Sequence, residues 1–136
     1  MIFIDTAGWI ALMNRNDMLH SFACKVYQNI GKKKRITTDA VLLETCNAFC
    51  NGKKRSLAII FMQQLEECKN LGIIEVIETS GKALQKGWEI FKIHLDKNWS
   101  LTDCIAFYVM KERKIRKALT SDHHFIQAGF EALLKQ

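Results

Sequence analysis

The feature that most constrains this chain is an alternation. Short β-like runs at Ile2 to Ile4, Arg35 to Thr37, Ile73 to Ile77 and Ala118 to Thr120 are separated by longer segments of helical period. A fifth strand is expected after Gly129. The helical segments are Leu19 to Ile30, Asp39 to Cys50, Ser56 to Asn70, Lys82 to Leu95 and Leu101 to Glu112, several bounded by Gly or by a Ser, Thr or Asp cap. Strands that alternate with helices favour a parallel sheet, and right-handed crossovers place helices on both of its faces. The expected architecture is an α/β fold, a three-layer α/β/α sandwich around a central, mainly parallel sheet. Ligands of such open sheets bind beyond the carboxyl ends of the strands.

Nothing in the 136 residues marks a second unit: there is no proline, no Ser/Gly linker and no repeat, so residues 1–136 are expected to form a single domain. The longest apolar stretches fall well short of the roughly 20 residues that span a bilayer. Met1-Ile2-Phe3-Ile4 runs straight into Asp5 without a basic or long apolar leader, so the expectation is a cytoplasmic protein with no membrane partner. The five cysteines (Cys24, Cys46, Cys50, Cys68, Cys104) lie in apolar helical patterns and are expected to be reduced. Cys46 and Cys50 can share a helix face with reach to His123 or His124, but without a CxxC pair they read as small hydrophobes. The net charge is +6, with basic runs at Lys32 to Arg35, Lys53 to Arg55 and Lys111 to Lys117. Any one run reads as a solvated loop or helix end; together they make a polyanion such as RNA or DNA a plausible partner.

Four acids stand out by position. Asp5 directly follows the first strand, and Asp122 follows Ala118-Leu119-Thr120 before a helical turn that begins at His123-His124. Taken alone, each reads more readily as a helix N-cap. Glu44 interrupts the apolar pattern of Val41 to Phe49, where a charge is costly unless paired, metal-bound or partly exposed. Asp103 in Ser100-Leu101-Thr102-Asp103 has the spacing of a capping box and can simply support a helix start. As a set, two acids at strand ends and two on apolar helices offer the oxygen donors that Mg²⁺ and Mn²⁺ prefer, and such a cluster repels itself without a cation.

These segments resemble the PIN-domain ribonucleases, especially the small VapC-like toxins of toxin–antitoxin pairs, over essentially the whole chain. The matching pieces are the strand with Asp-Thr (Ile2 to Thr6), the helix with a central Glu (Val41 to Phe49), Ser-Leu-Thr-Asp with Cys-Ile-Ala-Phe (Ser100 to Phe107), and Leu-Thr-Ser-Asp-His-His-Phe (Leu119 to Phe125). The resemblance implies that Asp5, Glu44, Asp103 and Asp122 hold Mg²⁺ or Mn²⁺, and that Asp96 is accessory. It further implies water-driven cleavage of RNA, a homodimer and a cognate antitoxin. Thr6 and Thr120 adjoin the proposed ligands, where their hydroxyls can orient a carboxylate or act as ordinary caps. His123 and His124 are left outside the catalytic set, since a metal that activates water needs no general base.

The rivals are weaker. Haloacid-dehalogenase-like hydrolases carry a second Asp two residues after the first, and here that position is Ala7. Response-regulator receivers need paired acids and a late Lys that are not evident. The alternative kept open is a non-catalytic RNA-binding or protein-interaction module with a PIN-like fold.

Overall fold

A computed structural model describes residues 1–135. The strands are β1 (Ile2–Ile4), β2 (Arg35–Thr38), β3 (Ile74–Ile77), β4 (Lys117–Leu119) and β5 (Glu131–Ala132), and every recorded pairing between them is parallel. Their order across the sheet is β3-β2-β1-β4-β5. The chain thus winds outward from β1 in one direction through β2 and β3, then restarts on the other side of β1 with β4. Parallel crossovers are right-handed as a rule, so that reversal sends helices to opposite faces, in keeping with the expected sandwich. It also opens a crevice at the carboxyl ends of β1 and β4, the place where such sheets bind ligands. Phe3 pairs with Ala118 and Ile4 with Leu119, so the residues that follow, Asp5 and Thr120, leave the sheet side by side.

The helices are α1 (Thr6–Met13), α2 (His20–Asn29), α3 (Asp39–Ala48), α4 (Arg55–Asn70), α5 (Gly81–Ile93), α6 (Leu101–Glu112) and α7 (His123–Gln127). Most ends match the expected ones within two residues, and the shifts have local causes. Thr38 extends β2 and then caps α3 by accepting from the Val41 N–H at 3.1 Å. Ala48 rather than Cys50 ends α3, where the chain turns through Phe49 into a 3₁₀ turn at Gly52–Lys54. Ser80 caps α5 by accepting from the Ala83 N–H at 3.1 Å. Since Ser80 is exposed, Ser80→Ala tests the cap alone and is expected to lower stability by about 1 kcal/mol in a thermal melt. An unchanged melting temperature would show that the cap contributes nothing.

One helix is not apparent from the sequence. α1 follows Asp5 at once, and its Thr-Ala-Gly-Trp-Ile-Ala-Leu-Met is apolar almost all round, so no polar stripe reveals a helical period. It is buried against the sheet at Gly8, where an added Cβ would lie 2.1 Å from the Leu119 carbonyl oxygen. Aromatic packing supports the crevice from below. Phe107 of α6 meets Phe125 of α7 edge to face at 5.0 Å, and Phe125 lies 6.3 Å from Phe3 of β1. Such contacts lock α6 and α7 to the central strand.

The basic runs are partly structural. Arg35 is buried, stacks over the Tyr27 ring and donates to the carbonyls of Tyr27, Gly31 and Lys33, so it ties the α2–β2 connection and does not face a polyanion. Arg113 and Lys34 both pair with Glu75. Among the described residues no helix is long and apolar enough to cross a membrane. The five cysteines are free thiols.

Candidate metal centre

Four elements carry the acids. Asp103 and Glu44 couple electrostatically to Asp5, and Asp122 is linked to Asp5 through Thr120. Among the described residues the four do not form a group with donor atoms within 4.8 Å of one another. Asp5 ends β1 and occupies the N-cap position of α1, yet its side chain makes no cap bond. The residue is 3 % exposed. Its Oδ2 accepts from the Thr120 hydroxyl at 3.0 Å, whereas Oδ1 is buried with no hydrogen-bond partner among the described residues. A capping role for Asp5 is therefore excluded. Burial pushes the carboxyl up to about 7; the Thr6 backbone pulls it partway down, the Asp103 carboxylate raises it again, and the Thr120 hydroxyl and Glu44 act in opposite directions after that. Asp103 and Glu44 thus lie within electrostatic reach of Asp5.

Asp103 keeps both readings that its sequence allows. It completes the capping box of α6, donating its backbone N–H to the Ser100 hydroxyl and accepting the Ser100 N–H on Oδ2 at 3.1 Å. The same Oδ2 lies 3.1 Å from His124 Nδ1. It accepts from both, while Oδ1 accepts no recorded bond among the described residues. Asp122 does act as a cap: its Oδ1 accepts the His124 N–H at 2.9 Å. The Asp122 N–H in turn donates to the Thr120 hydroxyl oxygen at 3.0 Å. Thr120 therefore joins Asp5 to Asp122, and it does so because it has left the β4 ladder one residue before the expected strand end.

Glu44 is half-buried on α3, beside a Leu43 that is 68 % exposed, so the helix is less apolar around its circumference than the pattern of Val41 to Phe49 suggested. Its charge is carried at a partly exposed edge facing Asp5. Thr6 is buried with an unpartnered hydroxyl next to Asp5. Asp96 stands apart, an exposed carboxylate paired with Lys97 at 2.9 Å.

Each of the three aspartates has the same arrangement: one carboxylate oxygen is fixed by donors from the protein and the other accepts no recorded bond. An unpaired, buried oxygen such as Asp5 Oδ1 is costly without a partner. Hard divalent cations take such oxygens, so the donor set fits Mg²⁺ or Mn²⁺. Donor atoms of Asp122, His123 and His124 also lie within 4.8 Å of one another. These residues are consecutive, so their proximity is local, and His123 is largely exposed; the buried acids carry the stronger electrostatic case. A groove of about 620 Å³ elsewhere, lined by Phe49, Ile59 and Met62 among others, holds none of the four acids. His124, left outside the catalytic set on sequence grounds, lies against Asp103 Oδ2. The only signal for it was its position in the first turn after Asp122.

The fold is an open parallel α/β sheet whose order reverses between β1 and β4, with Asp5 at the end of β1 in electrostatic reach of Asp103 and Glu44. No family model matches the chain. It is 28 % identical over 133 residues, 96 % of this chain and 95 % of the relative, to the 23S rRNA-specific endonuclease VapC20 in two strains of Mycobacterium tuberculosis. The crystal structure of Mycobacterium tuberculosis VapC20, described as a sarcin-ricin loop cleaving toxin, superposes with a TM-score of 0.85 at 25 % identity, covering 96 % of each chain. The chain is VapC-like in sequence and in fold across nearly its whole length.

Proposed function

We propose that this chain is an endoribonuclease of the VapC type, working in the cytoplasm as one catalytic unit and as the toxin of a toxin–antitoxin pair. Its substrate is RNA and its partners are a cognate antitoxin and a second copy of the chain. The observation that carries this reading is Asp5 Oδ1, buried without a partner beside Asp103 and Glu44 in a VapC-like fold. Asp5, Glu44, Asp103 and Asp122 would hold Mg²⁺ or Mn²⁺. When bound there, the ion lowers the pKa of water to supply a nucleophile and offsets charge on the scissile phosphate.

The remaining contributions come from the protein itself. Thr120 fixes the Asp5 carboxylate in rotation, so the free oxygen is presented without reorganisation. The capping box does the same for Asp103, whose position is set by the first turn of α6 rather than by a flexible side chain. Removing either carboxylate charge leaves the local hydrogen-bond framework largely in place, because an amide oxygen can still accept. The net charge of +6 favours approach of a polyanion and makes binding salt-dependent.

The test is cleavage of an RNA pool, with an oligonucleotide of the sarcin–ricin loop included, by the purified chain. Cleavage is expected with Mg²⁺ or Mn²⁺, and none with EDTA. Asp103→Asn, run in parallel as a contamination control, is expected to cleave about 100-fold more slowly while melting normally. Cleavage that survives EDTA, or that Asp103→Asn retains in full, would sink the metal-centre assignment. No cleavage of any RNA by the folded protein would favour the non-catalytic module.

A further inference from the structure

We propose that His124 is a positioning residue, a tether from α7 that holds Asp103 of α6 by one carboxylate oxygen and leaves its other oxygen free for the cation. The inference rests on the metal-centre reading above and adds a residue to it. His124 Nδ1 lies 3.1 Å from Asp103 Oδ2 and 3.3 Å from Asp122 Oδ1. Both neighbours are carboxylate oxygens, which only accept, so Nδ1 carries the hydrogen in the neutral as well as the charged ring.

The two aspartates arrive on different helices. Asp103 belongs to the first turn of α6 and Asp122 precedes α7, so no backbone link fixes their separation. The imidazole reaches from α7 to Asp103, and it is mostly buried, with 18 % of its surface exposed. Its contact on Asp103 falls on Oδ2, the oxygen already taken by the Ser100 N–H. Asp122 Oδ1 accepts from the His124 backbone N–H, and Nδ1 lies near it at 3.3 Å without bonding to it. On Asp103 the two donors share Oδ2, so among the described residues Asp103 Oδ1 accepts no bond, and Asp122 Oδ2 accepts none either. Residues that orient a metal's ligands in this way commonly change affinity by roughly 10- to 100-fold when removed.

The experiment measures Mn²⁺ and Mg²⁺ binding, with no RNA present, from the shift in melting temperature as the ion is titrated into the purified chain. Wild type is compared with His124→Leu, which removes the donor, and His124→Asn, whose amide N–H sits close to where Nδ1 was. His124→Leu is expected to bind the ion about 10- to 100-fold more weakly, and His124→Asn within about threefold of wild type. The backbone cap on Asp122 survives in both, so the metal-free melts should agree closely. Where the leucine variant does not fold, His124→Gln, whose amide reaches toward the Nε2 position instead, takes its place with the same expected weakening.

Wild-type affinity in His124→Leu or His124→Gln overturns the tether and leaves the metal centre standing. Equal weakness in the asparagine and leucine variants also overturns it, since the ring itself would then be the ligand. A wild-type chain that neither ion stabilises removes the metal centre and the tether together.

Discussion

Asp5→Asn is expected to reduce RNA cleavage by about 1000-fold or more and, in the absence of metal, to make the protein more stable. The two effects share one cause. Asp5 is buried among donors too few to satisfy its charge, with Asp103 and Glu44 adding repulsion, and its carboxyl is raised from 3.8 to about 7. At 1.36 kcal/mol per unit, holding it ionised in the folded state costs roughly 4 kcal/mol at neutral to alkaline pH. The folded state keeps a proton between about pH 4 and pH 7 that the unfolded chain has already released. The stability contributed by that proton is complete below about pH 4, is lost as pH rises through about 7, and stays lost above it. Metal-free wild type should therefore melt progressively lower across that window, while Asp5→Asn should lack that part of the slope and melt higher at pH 8.

Mg²⁺ reverses the comparison, because it stabilises a state that the charged carboxylate helps to bind. The measurement is a set of thermal melts of both proteins at several pH values, with and without Mg²⁺. An Asp5→Asn variant less stable than wild type at pH 8 without metal would show that burial is not straining this carboxyl. A variant that Mg²⁺ stabilises as strongly as wild type would place the ion elsewhere.

Gly8→Ala should be among the most damaging single-methyl changes in the chain. A Cβ at Gly8 would lie 2.1 Å from the Leu119 carbonyl oxygen, 3.0 Å from the Leu119 carbonyl carbon and 3.3 Å from Ile4 Cγ2. The first two are backbone atoms of β4, which pairs with β1 and cannot rotate aside as a side chain would. Overpacking typically costs 1–3 kcal/mol, and here relief requires α1 to lift from the sheet, so about 3 kcal/mol or more is expected. Lifting α1 also parts Asp5 from Thr120, and metal binding should weaken with stability. Gly81→Ala is the control: its Cβ meets nothing within 4 Å, at the start of α5, and the change should be neutral or mildly stabilising. A Gly8→Ala protein that melts within about 2 °C of wild type would refute the close approach.

The same close approach explains why α1 was missed in the sequence while α6 was found to the residue. The α6 boundaries are written locally, in a Ser100 cap and an Asp103 three positions on. The identity of α1 comes from contact on nearly every side with a sheet that local pattern cannot see. Asp5 shows a similar division. Its place after a strand was legible, but whether it capped the next helix or faced inward depended on Thr120, which is 115 residues away in sequence. Glu44 sat where the helix pattern placed it, though less enclosed than the apolar run implied. His124 was visible only as a neighbour of Asp122, because its contact with Asp103 crosses between two helices.

What the sequence determined by itself was therefore the alternation of strands and helices, the parallel sheet that follows from it, and the acids at strand ends and helix starts. These are properties of period and of capping, which act over a few residues. The tertiary structure alone decided which oxygen of each aspartate is occupied, that burial raises the Asp5 carboxyl to about 7, and that His124 reaches Asp103 across two helices. Those outcomes rest on burial and on hydrogen bonds between elements that only the reversed winding of the sheet brings together.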